Sequence, residues 1–229
     1  MAYEVKAGAS ITAVQVPIGG QSLQGDLGMP PESRGIVVFA HGSGSSRHSS
    51  RNKFVARSLE RLNLATLLID LLTPGEEAID ERTAEYRFDI PMLAERLATI
   101  VDWLGRRPET ARLPIGLFGA STGGGAALIA AADRPREIAT VVSRGGRPDL
   151  AGEALKKVVA PTLLIVGGWD TPVIQMNRAA MRSMRGEVKL EIVPGATHLF
   201  EEPGTLERVA ELAGDWFAHH LQPAHSTGA

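Results

Sequence analysis

Ser121, Asp170 and His198 have the types, and stand in the settings, for acyl transfer by an activated serine. A serine hydroxyl is not ionised near neutrality and attacks a carbonyl poorly by itself. It needs a base within hydrogen-bond reach, and the base needs a carboxylate that orients it and stabilises its cation. Ser121 is the centre of Gly119-Ala120-Ser121-Thr122-Gly123, within the run LPIGLFGASTGGGAALIAAA from Leu113 to Ala132. A short apolar strand, a sharp G-x-S-x-G turn and a small-residue helix make the setting of a nucleophile elbow. Asp170 follows a buried-strand pattern over 162–167 through Gly168-Trp169. His198 closes Pro194-Gly195-Ala196-Thr197-His198, after a strand over 188–193. Taken singly, each has an ordinary use: a helix N-cap serine, a turn aspartate before Thr171-Pro172, a locally packed loop histidine. Together, at strand ends and in this chain order, they predict nucleophile, acid and base. Asp149 is the rival acid; Asp170 is preferred because its strand ends directly into it.

The tetrahedral intermediate needs fixed donors for its oxyanion. The strand pattern Gly35 to Ala40 opens into His41-Gly42-Ser43-Gly44. The backbone N–H groups of Thr122 and Ser43 are the expected oxyanion hole, with Gly42 as the alternative to Ser43. His41 precedes the serine and is read as a supporting hydrogen bond in that loop. Two arginine pairs, Arg47 with Arg51 and Arg144 with Arg147, are expected at the catalytic rim. Arginine binds a carboxylate or phosphate in a two-pronged contact. Arg144, then Arg47, are therefore candidate substrate-binding residues; the ordinary alternative is ion pairing with Glu76, Glu77 or Asp149. Trp169 is a further substrate-binding candidate and Phe200 flanks the base, with packing as the plainer role for both. The six histidines, with His219, His220 and His225 read as solvated, have no metal-ligand spacing, so neither metal nor cofactor is expected.

The surrounding pattern must hold these residues at strand ends. Residues 11–29 read as a hairpin around Gly19-Gly20, antiparallel to the later strands. Strands over 35–40, 64–70, 138–143, 162–167 and 188–193 alternate with helices near 52–61, 90–105, 150–158, 173–184 and 204–221. The polar stretch from Thr73 to Glu85, with Pro74-Gly75, reads as a connection. Apolar strands alternating with helices predict an α/β fold, a mostly parallel, doubly wound sheet of about eight strands. One domain over 1–229 is expected, with flexible termini at 1–10 and 223–229.

On four motifs, HGSG, GASTG, GGWD and GATH, the chain resembles the α/β-hydrolase superfamily, and within it the dienelactone-hydrolase-like branch, from about Ile11 to Leu221. The chain order Ser121, Asp170, His198 matches the superfamily's triad order. Dienelactone hydrolases proper carry a cysteine nucleophile; this chain has no cysteine, and its serine form resembles carboxylesterases. Many members of the superfamily insert a lid after the strand that follows the elbow helix. Here one short helix joins that strand to Thr162, so an open cleft without a lid domain is expected.

Composition narrows the rest. With 229 residues, 44% hydrophobic and 22% charged, the chain can bury a full core. A formal charge of -2 leaves no footprint for nucleic acid, and no apolar run approaches a membrane span. The lack of cysteine and of a signal-peptide pattern fits the cytoplasm. The expectation is a serine hydrolase acting on a small ester, with no cofactor and an open oligomeric state. Lactonase or dienelactone-type hydrolysis, thioester hydrolysis and acyl transfer are alternatives on the same triad; a non-catalytic binding module is the distant one.

Overall fold

A computed structural model describes residues 9–222. Eight strands form one sheet in the order β1-β2-β4-β3-β5-β6-β7-β8. The first two, β1 (Ser10–Ile18) and β2 (Gln21–Met29), make the expected hairpin. Its turn is Gly19-Gly20, both at positive φ (49° and 82°), the geometry that a two-residue hairpin with the sheet's own twist requires. Strand β2 pairs antiparallel with β4 (Ala65–Ile69). From there β3 (Ile36–Ala40), β5 (Ile115–Ala120), β6 (Ile138–Arg144), β7 (Thr162–Gly167) and β8 (Val188–Val193) run parallel. Strands β3 to β7 are buried along nearly their whole length, which is why they read as continuous apolar runs rather than alternating ones.

Alternate residues of one strand feed opposite layers. Ile36, Val38 and Ala40 of β3 pack with Leu93, Leu97 and Leu104 of α3 (Ile90–Leu104) and with Ala127 of α4 (Thr122–Asp133). Val37 and Phe39 pack with Val55 and Leu59 of α1 (Ser50–Glu60) and with Val209 and Phe217 of α6 (Thr205–His220). A helix α5 (Thr171–Met181) packs beside β7 and β8. Chain entry to β4 goes to one side of β3 and entry to β5 to the other. The crevice beyond the carboxyl ends of β3 and β5 is thus the switch point at which open α/β sheets place ligands.

Three expectations change. The stretch read as a connection holds α2 (Pro74–Thr83), started by Thr73 and Glu76 in a reciprocal cap with Pro74 in the first turn. The segment near 150–158 is a 3-10 stretch, Pro148–Lys157, kinked at Gly152. It alone connects β6 to β7, and no lid is inserted there. Finally, the termini 1–8 and 223–229 lie outside the described residues, whereas Ser10, expected in the flexible N-terminus, already belongs to β1.

Candidate active site

The elbow is built by close approach. A Cβ on Gly119 would lie 2.6 Å from the carbonyl oxygen of Gly123 and from Cα of Gly124, and one on Gly123 would strike the carbonyl oxygen of Ala40. Only glycine lets β5, β3 and α4 meet this tightly. Ser121 sits at φ 50°, ψ -120°, a conformation that side chains larger than hydrogen resist. Its carbonyl accepts from Gly124 N (3.0 Å) and Arg147 N (3.0 Å), which fixes the turn. Ser121 is at the N-cap position of α4, yet its side chain makes no capping bond. The ordinary reading of a capping serine therefore does not describe it.

Its hydroxyl turns instead to His198, with Oγ 3.2 Å from Nε2. On the other side of the ring, Nδ1 lies 2.6 Å from Oδ2 of Asp170. A carboxylate accepts only, so Nδ1 carries the proton and Nε2 is left to accept from the serine hydroxyl. The loops that bring the three together are tied to each other: Trp169 N donates to the carbonyl of Ala196 (2.9 Å), and Thr197 donates twice to Glu202 (3.1 and 2.6 Å). Those bonds from Thr197 hold the Glu202 carboxyl below its usual range. Asp149 forms two hydrogen bonds with Arg147 (2.8 and 2.7 Å) and is not the partner of His198.

The oxyanion loop departs from expectation in one bond. Ser43 N–H donates to Thr122 Oγ1 (2.8 Å), so this backbone donor is already engaged by the side chain beside Ser121. Thr122 N–H, at the first position of α4, has no acceptor within its helix. His41 does support the loop: Nε2 accepts from Leu71 N (3.0 Å) and Nδ1 faces the carbonyl of Gly42 (3.0 Å).

Of the rim residues, Arg144 lines the cleft with Ser121 and His198, and Arg51 and Asn52 join it. The cleft holds about 250 Å³. Arg144 is buried, and burial followed by the nearby charge of Arg51 pushes its guanidinium down to about 10, still charged at neutral pH. The sequence does not separate Arg51 from Arg47, since both follow the same loop; Arg51 and Asn52 lie on α1 where it opens onto the cleft.

Two substrate-binding expectations are corrected. Arg47 is turned away to Asp70, which also accepts from its backbone N–H (2.7 Å), and its side chain is 3.9 Å from Asp26. Trp169 is 68% exposed and does not line the cleft. Phe200 is buried in the α1–α6 core, as its packing role required. His220, read as solvated, packs against Trp216 with tilted rings 4.4 Å apart, and burial pushes its imidazole down; His225 lies outside the described residues. Among the described residues no group of three or more His, Asp or Glu side chains is placed to hold a metal, and no helix is long and apolar enough to cross a membrane.

A β-sheet of this order with an elbow after β5 defines an α/β hydrolase, and known proteins agree. The model of the dienelactone hydrolase family matches residues 24–221, and the chain belongs to that family. A crystal structure of dienelactone hydrolase from Anabaena variabilis is 57% identical, with a TM-score of 0.93 over 94% of this chain and 100% of that one. Est1E from Butyrivibrio proteoclasticus, solved with ferulic acid bound, shares the fold at 19% identity and a TM-score of 0.77, over 91% of this chain and 99% of that one. Two strains of Mycobacterium tuberculosis have a protein, provisionally named a phosphoribosyl transferase, that is 59% identical over 208 residues. The match covers 91% of this chain, which spans 46% of the length of those relatives.

Proposed function

We propose that this chain hydrolyses small carboxylic esters through an acyl-enzyme on Ser121. The observation that carries the reading is the hydrogen-bonded series Ser121, His198, Asp170 at an elbow whose serine caps nothing. Ser121 Oγ attacks the carbonyl carbon while its proton passes to His198 Nε2. Asp170 stabilises the imidazolium. Thr122 N–H meets the oxyanion, and Ser43 N–H joins it by sharing its hydrogen with Thr122 Oγ1. The ester C–O bond then breaks and the alcohol leaves with the proton from His198. Water repeats the sequence in reverse: its proton goes to His198, its oxygen to the acyl carbon, and Ser121 is restored with release of the acid.

A lactone is an ester whose alcohol remains attached, and the same steps open it. Membership of the dienelactone hydrolase family supports that as the second reading. The phosphoribosyl transferase name belongs to proteins of which this chain spans 46% of the length. The first experiment is hydrolysis of p-nitrophenyl esters with about two to twelve acyl carbons, by the wild type and by Ser121→Ala. Turnover of short esters is expected, with kcat lowered at least about 10³-fold in the variant. Equal rates in both proteins would remove Ser121 from the chemistry. A folded wild type that opens neither esters nor lactones would end the hydrolase reading.

A further inference from the structure

On the layer away from α3 and α4, helices α1 and α6 pack side by side over Val55, Leu59, Val209 and Ala213. A Cβ on Gly214 would stand 2.8 Å from Leu62, so that glycine lets the end of α1 close onto α6. The apolar pattern continues out of this floor toward water. Phe54 and Leu62 are 36% and 41% exposed, and with Ala210 they line a groove of about 500 Å³. A single exposed apolar side chain is ordinary; two in one groove with a charged rim are the make-up of a protein contact.

The rim charges are sorted by helix. Exposed Arg57 and Arg61 lie one turn apart at the end of α1, and exposed Glu207, Glu211 and Asp215 repeat every four residues along α6. Arg57, Arg61, Glu207 and Asp215 enter no ion pair among the described residues, and Glu211 holds only Arg208, at 3.1 Å. One wall is basic, the other acidic, and neither satisfies the other across the groove. The helices run in the same direction: Phe54, early in α1, shares the groove with Glu207, early in α6, while Leu62 meets Gly214, late in α6. Such a surface complements itself. A two-fold axis through the middle of the groove lays α1 of each copy across α6 of the other, in opposite directions. Arg61 then comes over Glu207 of the second copy and Arg57 over its Glu211, each pair formed twice, with Phe54 and Leu62 of both copies closing the centre.

We infer that this chain forms a two-fold dimer through the α1–α6 face, its occupant being a second copy of the same chain. An unrelated partner would have to carry both signs of charge in this arrangement; a second copy carries them by symmetry. The contact does not depend on the chemistry read for Ser121. The rotation turns the two clefts, which open beside the start of α1, to opposite ends of the dimer, and neither is covered.

The test is sedimentation velocity of the full chain from about 1 to 200 µM. The wild type is expected to pass from monomer to dimer over that range, since the apolar area is small. Two variants each reverse one wall: Arg57→Glu with Arg61→Glu, and Glu207→Arg with Glu211→Arg. All four side chains are exposed, so the fold is expected to hold, which circular dichroism checks. A dimer of either variant sets like charges against each other, and association is expected to weaken at least about 10-fold. Mixed in equal amounts, the two variants oppose unlike charges at every pair and are expected to associate at near the wild-type level. Neither misfolding nor a general loss of solubility gives that rescue. Phe54→Ser is expected to weaken the dimer with the charges unchanged. A monomer throughout the range overturns the dimer and leaves the face to solvent or to a different protein. A dimer that the reversed charges do not weaken, or variants that do not recover on mixing, overturns this face as the contact. If a double variant is unfolded, Arg61→Glu and Glu207→Arg make the same comparison singly.

Discussion

Thr122 joins two parts of the site with one side chain. Its backbone N–H lies next to Ser121, and its hydroxyl accepts from Ser43 N–H, clamping the loop after β3 to the elbow after β5. Preorganised donors stabilise an oxyanion because they do not have to reorient when charge develops. Thr122→Val keeps the shape but removes the acceptor, leaving Ser43 N–H in a part-buried position without its partner. We expect kcat on a short ester to fall about 10-fold, with KM little changed and with Thr122→Ser near wild type. Steady-state kinetics of the three proteins measures it; a KM effect alone would mean that the clamp shapes binding rather than the transition state. Ser121, His198 and Asp170 were legible as neighbours because their motifs close strands: Ser121 directly after β5, Asp170 and His198 in the short turns that follow β7 and β8. Arg47 and Trp169 were not. They lie on loops, and where a loop side chain points is decided by distant groups: Asp70 at the end of β4 draws Arg47 away, and Trp169 turns to solvent.

At the scale of elements, α2 shows how a helix hides. Pro74-Gly75 punctuates a loop, but Thr73-Pro74-Gly75-Glu76 is also a capping box with proline in the first turn, where its missing N–H costs nothing. The two readings use the same residues, and only the Thr73–Glu76 spacing separates them. The end of α2 then anchors the approach to α3: buried Asp80 accepts from Tyr86 N (2.7 Å), Arg87 N (3.0 Å) and Arg87 Nε (2.6 Å). Burial raises the pKa of this carboxyl, but the bonds from Arg87 and Tyr86 outweigh it and hold it below its ordinary 3.8. A lowered carboxyl contributes stability that is present above the ordinary value and fades as pH falls through the lowered one. Asp80→Asn is expected to cost about 2 kcal/mol at pH 7, roughly 4–8 °C in Tm. Melting curves of the two proteins should converge in acid below about pH 4; a gap that persists there would locate the effect in packing rather than charge.

For the whole molecule, the parallel sheet and its helices followed from apolar runs that only a doubly covered sheet can bury, and the order of the strands did not. That order depends on which crossovers pack, and it puts the loops after β3 and β5 side by side. Ser121 and His198, proposed as nucleophile and base, have unequal footings in it. Ser121 follows β5, flanked on both sides by β3 and β6, whereas His198 follows β8, which among the described residues is an edge strand held by β7 alone. Opening of an edge takes less free energy than opening of a sheet's centre. Mild denaturant should therefore separate the base from an otherwise intact protein: in a urea titration, ester hydrolysis is expected to fall at a lower concentration than the far-ultraviolet signal of the helices, while amides of β8 exchange with solvent before those of β5. The edge of the sheet would then act as this catalyst's fuse, failing first and reversibly, and a ligand bridging the cleft would delay the failure.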